Sequence, residues 1–311
     1  MQFTDFLILA SVGVAIVAIL SVGFACVFTR LWGKPRRLAS ARTPADHGLP
    51  FEAVSFTSDG VRLRGWFIPS HMPTARGTII VAHGWSHGAT KMLSVARRLR
   101  EAGFAVLLYD TRGHGASGDD GFISIAKFAE DLIASVDYLE GRPDVDATRI
   151  GVVGHSMGGA GAILAASTEP RIRALVSTSA FADPVTVTAR ALRCLRIPRW
   201  PFLWLVCRCW EYWLGTTGDE VAPQNRIADV TVPVLLVHGD TDRLIPASDM
   251  RTLYARANAQ YAEQWLAQGR RHSDVLSDPE FESRVIAFLG RTLTIPFEPQ
   301  ADYLPPREFS T

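Results

Sequence analysis

The sequence predicts an α/β fold: a mostly parallel central sheet with helices on both faces, a helical cap inserted late, and an N-terminal transmembrane helix. Three observations carry this. Apolar runs at residues 78–82, 104–109, 150–154, 171–177 and 232–237 are separated by segments with helical spacing. Each run is continuous rather than alternating, as in strands buried on both faces of a parallel sheet. Residues 181–229 hold no such run, and residues 6–28 hold no charge at all.

Residues 6–28 are long enough to cross a hydrocarbon core, which takes about 20 residues. A cleaved signal peptide and a buried core helix are the alternatives. A signal peptide usually opens with positive charge, and residues 1–5 carry no Lys or Arg. A retained anchor over residues 1–33 is therefore expected. Arg30, Lys34, Arg36, Arg37 and Arg42 all follow the span. The positive-inside bias then puts the bulk of the chain on the cytoplasmic side.

Residues 34–50 contain three Pro residues and no periodicity, and read as a linker. Residues 51–57 and 61–68 alternate about Asp59-Gly60, which predicts a β-hairpin. A strand at 78–82 leads into His83-Gly84-Trp85-Ser86-His87-Gly88. Helical spacing over 93–102 stops at Gly103. The strand at 104–109 leads into the run from Asp110 to Gly118, and an amphipathic helix over 125–139 follows. Beyond the strand at 171–177, residues 181–229 are rich in aromatics and arginines. They include Trp200, Trp204, Trp210, Tyr212 and Trp213 with Arg190, Arg193, Arg196, Arg199 and Arg208. This stretch reads as a helical cap over the strand ends. Alternation resumes with strands at 232–237 and 261–266 and helices at 247–257 and 280–293. Residues 296–311 are Pro-rich and read as an irregular tail.

Composition narrows the function. A chain of 311 residues with a net charge of +1 has no overall bias toward nucleic acid. The four cysteines, Cys26, Cys194, Cys207 and Cys209, show neither CxxC spacing nor a neighbouring His set, so no metal site is expected. Cys26 packs within the apolar run. The other three are free thiols in a reducing compartment; in an oxidising one, Cys194 is placed to pair with Cys207 or Cys209.

The chemistry gathers around Gly154-His155-Ser156-Met157-Gly158. This Gly-x-Ser-x-Gly turn sits between an apolar strand and an Ala-rich helix, the setting in which such a serine projects from a strained bend. A serine needs a base to take its proton, and the base needs a carboxylate to orient it. Turns of this type place the acid and then the base later in the chain. Of eight histidines, only His238 and His272 follow Ser156. His272 stands in the loop before the last helix and is the expected base. Asp242 is the expected acid, since it lies far enough along its loop to turn back to His272; Asp240 is its rival, with a bland reading as a turn residue. Two backbone N–H donors complete the set, those of Trp85 and Met157, each contributing about 3 kcal/mol to an oxyanion.

Together, His83-Gly84, the loop from Asp110 through Arg112, His114 and Ser117, the turn at Ser156, His238-Gly239 with Asp242, and His272-Ser273-Asp274 resemble the α/β-hydrolase superfamily over about residues 51–293. An apolar N-terminal segment before such a core looks like the membrane-anchored Bem46-like group and related serine esterases. The domain is expected over 51–295, with the cap, read from its own residues and little fixed by the family pattern, near 181–229. The resemblance implies hydrolysis of esters, thioesters or amides with no metal or organic cofactor. The expected substrate is a small acyl ester or thioester. The cap aromatics suit an apolar acyl chain, simple packing on the core, or contact with the bilayer beside the span. A serine peptidase and a non-catalytic binding protein of the same fold remain as alternatives.

Overall fold

The computed structural model describes residues 3–37 and 42–294. The expected tail over 296–311 and residues 38–41 of the expected linker lie outside them. The hairpin forms as β1 (Glu52–Ser58) and β2 (Val61–Ile68), turning through Asp59 and Gly60, both at positive φ. The other strands are β3 (Thr78–Ala82), β4 (Ala105–Asp110), β5 (Ile150–His155), β6 (Ile172–Thr178), β7 (Val234–Gly239) and β8 (Ala262–Ala267). They form one eight-stranded sheet in the order β1-β2-β4-β3-β5-β6-β7-β8. Only β2 runs against its neighbours; all pairs from β4 to β8 are parallel.

Both faces of the sheet are covered, and side-chain alternation decides which residue faces which layer. Ile80, Ala82, Leu107, Val152 and Leu236 face α3 (Ile125–Glu140), α4 (Met157–Ala166) and α8 (Ala247–Arg256). Ile79, Val81, Val106, Val153 and Val237 face α2 (Leu93–Glu101) and α9 (Pro279–Thr294). This two-sided burial is why the strands read as unbroken apolar runs. The chain leaves β3 for β4 on one side and returns to β5 on the other. The carboxyl ends of β3 and β5 therefore flank the crevice where open α/β sheets bind ligands.

The cap is helical, with α5 (Pro184–Cys194), α6 (Phe202–Leu214) and the short α7 (Pro223–Arg226). Leu203, Val206 and Trp210 turn inward, whereas Trp200, Trp204, Tyr212 and Trp213 are exposed. Packing on the core thus accounts for only part of the aromatic content.

The apolar run forms α1 (Phe3–Trp32), and its segment Leu7–Trp32 is long and apolar enough to cross a membrane. Its last turns lie along α6. Phe24 meets Phe202 edge-on at 5.3 Å, and the Arg30 guanidinium stands 5.5 Å over the Trp213 ring. The Cys26 and Cys209 thiols are 3.2 Å apart, and all four cysteines are unbridged. The thiol that Cys209 meets is on α1, and the sequence had left the pairing of Cys194 with Cys207 or Cys209 open. The expected linker is also partly folded: Pro44–His47 form a 3-10 turn and Leu49 is buried in the α2–α9 layer. Ile123 N–H donates to the Gly33 carbonyl at 2.9 Å, tying the end of α1 to the sheet domain.

Candidate active site

Ser156 sits between β5 and α4 with φ 55° and ψ −117°, outside the basins that L-residues favour. The bend is held by Ser156 N–H to the Thr178 carbonyl at 2.8 Å, and by Ala160 N–H to the Ser156 carbonyl at 2.9 Å. It is also held by the absence of two side chains. A Cβ on Gly154 would lie 2.5 Å from the Gly158 carbonyl oxygen, and one on Gly158 would collide with the carbonyls of Ala82 and His83. Glycine is thus required where the elbow presses on β3.

His272 lies after β8, and its carbonyl accepts from Ser179 Oγ at 2.9 Å. Its ring bridges two groups: Nε2 is 2.9 Å from Ser156 Oγ, and Nδ1 is 2.6 Å from Asp242 Oδ2. The bonds are consistent with Nδ1–H donating to the carboxylate and the serine hydroxyl donating to Nε2. Asp242 is buried. Its Oδ1 accepts from Leu244 N–H at 2.9 Å and Ile245 N–H at 3.0 Å, and His238 Nε2 stands 3.3 Å from Oδ2. Burial pushes the Asp242 carboxyl up, but bonds from His238, His272 and Ile245 outweigh it and hold the group below the usual carboxylate range. Asp240 is exposed on the same loop, its N–H bonded to the Ala267 carbonyl. Of the two candidate acids, Asp242 is the one that meets His272.

Trp85 and Met157 flank the serine. A Cβ on Gly84, next to Trp85, would stand 3.1 Å from Ser156 Cβ, so that turn abuts the elbow. Met157 opens α4, where the first N–H groups have no partner within the helix. Among the described residues, neither the Trp85 nor the Met157 N–H donates to any acceptor. The Trp85 ring packs edge-on against His114 at 5.7 Å.

The remaining strand-end histidines are structural neighbours of this group. His83 Nδ1–H donates to the Gly84 carbonyl and Nε2 accepts from Thr111 N–H; His114 Nε2 accepts from Ser86 N–H. His155 Nδ1 pairs with Thr178 Oγ1, and its Nε2 has no partner among the described residues. Burial holds His83 and His114 down to about 4, and burial reinforced by His272 holds His155 down to about 3. Such groups stay neutral in the folded chain and take up protons on unfolding. Their contribution to stability is complete above their ordinary pKa of 6.5 and is lost as pH falls toward about 4, by about 1.4 kcal/mol per pH unit for each proton. Glu130, raised by burial, acts in the opposite sense. Urea unfolding is expected to show net proton uptake near pH 5, and His155→Asn to reduce that uptake by about one proton. An unchanged slope in the variant would contradict the assignment.

Sequence reasoning missed two supports. His238 reaches Asp242 as well as the Ile245 carbonyl, at 2.9 Å. Ser179, at φ 52°, holds the His272 carbonyl. The position of both at strand carboxyl ends was the available signal.

A doubly covered sheet with a serine at this elbow defines the class of α/β hydrolases. The chain belongs to that family. A family model described as serine aminopeptidase, S33, matches residues 73–222. The α/β hydrolase domain-containing protein WAV2 of Arabidopsis thaliana is 30% identical over 234 residues, 70% of each chain. YfhR of Escherichia coli K12 is 31% identical over 234 residues, 73% of this chain and 75% of that one. Among solved structures, the Pyrococcus furiosus esterase Pf2001 superposes with a TM-score of 0.69 at 26% identity, over 84% of this chain and all of the other.

Proposed function

We propose that this hydrolase cleaves carboxylic esters or thioesters through an acyl-enzyme on Ser156, with His272 as base and Asp242 as its orienting acid. The continuous path from Asp242 through His272 to Ser156, at 2.6 and 2.9 Å, is the observation that carries the reading. His272 takes the serine proton as Oγ attacks the carbonyl carbon. Asp242 stabilises the imidazolium. The tetrahedral oxyanion forms against the N–H groups of Trp85 and Met157, which are free to receive it. His272 then protonates the leaving alcohol or thiol, and water repeats the steps to release the acid.

Within this reading the chain divides into an anchor over 1–33, a linker over 34–50 and a catalytic domain over 51–295 with its cap over 181–229. The anchor is a single pass through a membrane. Arg30, Lys34, Arg36, Arg37 and Arg42 all follow the span, and the positive-inside bias favours a catalytic domain on the cytoplasmic side.

The matching family description keeps an aminopeptidase as the second reading. An aminopeptidase must hold a free ammonium group, which calls for acidic side chains near the scissile bond. The ester reading stands first because the chain superposes on an esterase, Pf2001 of Pyrococcus furiosus, with a TM-score of 0.69 at 26% identity. A panel of p-nitrophenyl esters of increasing chain length, run against aminoacyl amides, tests the choice. Faster turnover of esters is expected, and preferential turnover of the amides would overturn it.

A further inference from the structure

We propose that the α5–α6 face of the cap docks on the bilayer that holds α1, with Trp200 and Trp204 entering the acyl boundary and Arg193, Arg196 and Arg199 pairing with anionic lipid phosphates. This rests on the reading of α1 as a membrane span.

The argument begins with depth. The contacts between α1 and α6 run in one direction along both helices: Phe24 with Phe202, Cys26 with Cys209, then Arg30 with Trp213. Arg30 and Lys34 follow the uncharged core of the span and mark the headgroup level. Six residues separate Arg30 from Phe24, about 9 Å along a helix axis. The N-terminal end of α6 therefore lies about 9 Å closer to the bilayer centre than Arg30, within the 5–10 Å by which interfacial helices sink into the headgroup and acyl boundary. A helix held beside the span at that depth has lipid on the face that turns away from α1, α5 and the core.

The residues at that end match such surroundings. Trp200 is 82% exposed and Trp204 61% exposed, a heavy cost in water for indole rings and a favourable placement at a membrane interface. The neighbouring arginines are exposed as well. Arg190 is committed to Asp249 at 2.7 Å, but Arg193, Arg196 and Arg199 have no carboxylate partner among the described residues. With Arg190 they line a hollow of about 490 Å³. Guanidinium groups without carboxylates, beside exposed indoles, fit lipid phosphates over acyl chains. A second protein would leave unexplained why the face stands at the level of the span.

The test uses the full chain reconstituted in phosphatidylcholine vesicles, with and without phosphatidylglycerol. Subtracting the emission of Trp200→Phe/Trp204→Phe from that of the wild type isolates the signal of the two indoles. That signal is expected to be mostly quenched by acyl-brominated lipid and shielded from iodide. Phosphatidylglycerol should deepen the quenching in the wild type and leave it unchanged in Arg193→Gln/Arg196→Gln/Arg199→Gln. Turnover of a water-soluble ester should be equal in all three proteins, which shows that the variants fold. A difference signal open to iodide and untouched by brominated lipid would overturn the docking while the protein stays membrane-bound. Release of the whole protein by alkaline carbonate would overturn the span, and the docking with it.

Discussion

Ser156→Ala is expected to lower kcat on its best ester by on the order of 10⁵–10⁶, with little change in KM. The variant removes the atom that forms the acyl bond, and the groups that bind the substrate remain. His272→Ala should fall nearly as far, because Ser156 Oγ then has no acceptor at the 2.9 Å position of Nε2. Asp242→Asn should cost about 10⁴, since an amide at the 2.6 Å contact with Nδ1 can favour the wrong ring tautomer. The losses should not add: a variant lacking both Ser156 and His272 is expected to be no slower than Ser156→Ala alone. Strictly multiplicative losses would mean that the three residues act separately, against the linked path described here.

The largest effect on stability is expected at Asp131. Arg112 is fully buried beneath the loop that follows β4. Its Nε meets Asp131 Oδ1 at 2.8 Å, its backbone N–H meets Asp131 Oδ2 at 2.7 Å, and its remaining nitrogens reach Ser58 and Asp120 at 2.7 and 3.0 Å. Asp131→Ala removes the one fully buried counter-charge and leaves the guanidinium only the part-exposed Asp120 and Glu130, at 3.0 and 3.2 Å, which costs about 3 kcal/mol. Replacing both partners, as in Arg112→Met/Asp131→Leu, removes the stranded charge and should recover much of the loss. The same loop carries His114, whose ring accepts from Ser86 N–H at 3.2 Å, next to Trp85. Activity should therefore fall with stability in Asp131→Ala. A loss below about 1 kcal/mol in urea unfolding would contradict the role assigned to the pair.

Much of this architecture could be read from the residues because parallel strands buried on both faces leave unbroken apolar runs, as at Ile79-Ile80-Val81. The candidate triad was legible for a different reason. Chain order after the elbow left only His238 and His272 to choose between, and loop position separated Asp242 from Asp240. What escaped the sequence was long-range packing. Nothing periodic in α1 or α6 says that Cys26 will meet Cys209 rather than Cys209 meeting Cys194. Pattern alone also does not separate Trp210, which packs inward, from Trp204, which does not. The second bond to Asp242 from His238 was hidden too, because a histidine at a strand end reads the same whether it fills space or shares a carboxylate.

The central claim is that Ser156 is an activated nucleophile. Treating the full-length protein with a fluorophosphonate and mapping the adduct by peptide mass spectrometry tests it most directly. One adduct is expected, on the peptide that contains Ser156, and none in Ser156→Ala. An unlabelled wild type, or a label elsewhere with Ser156 left free, would contradict the account.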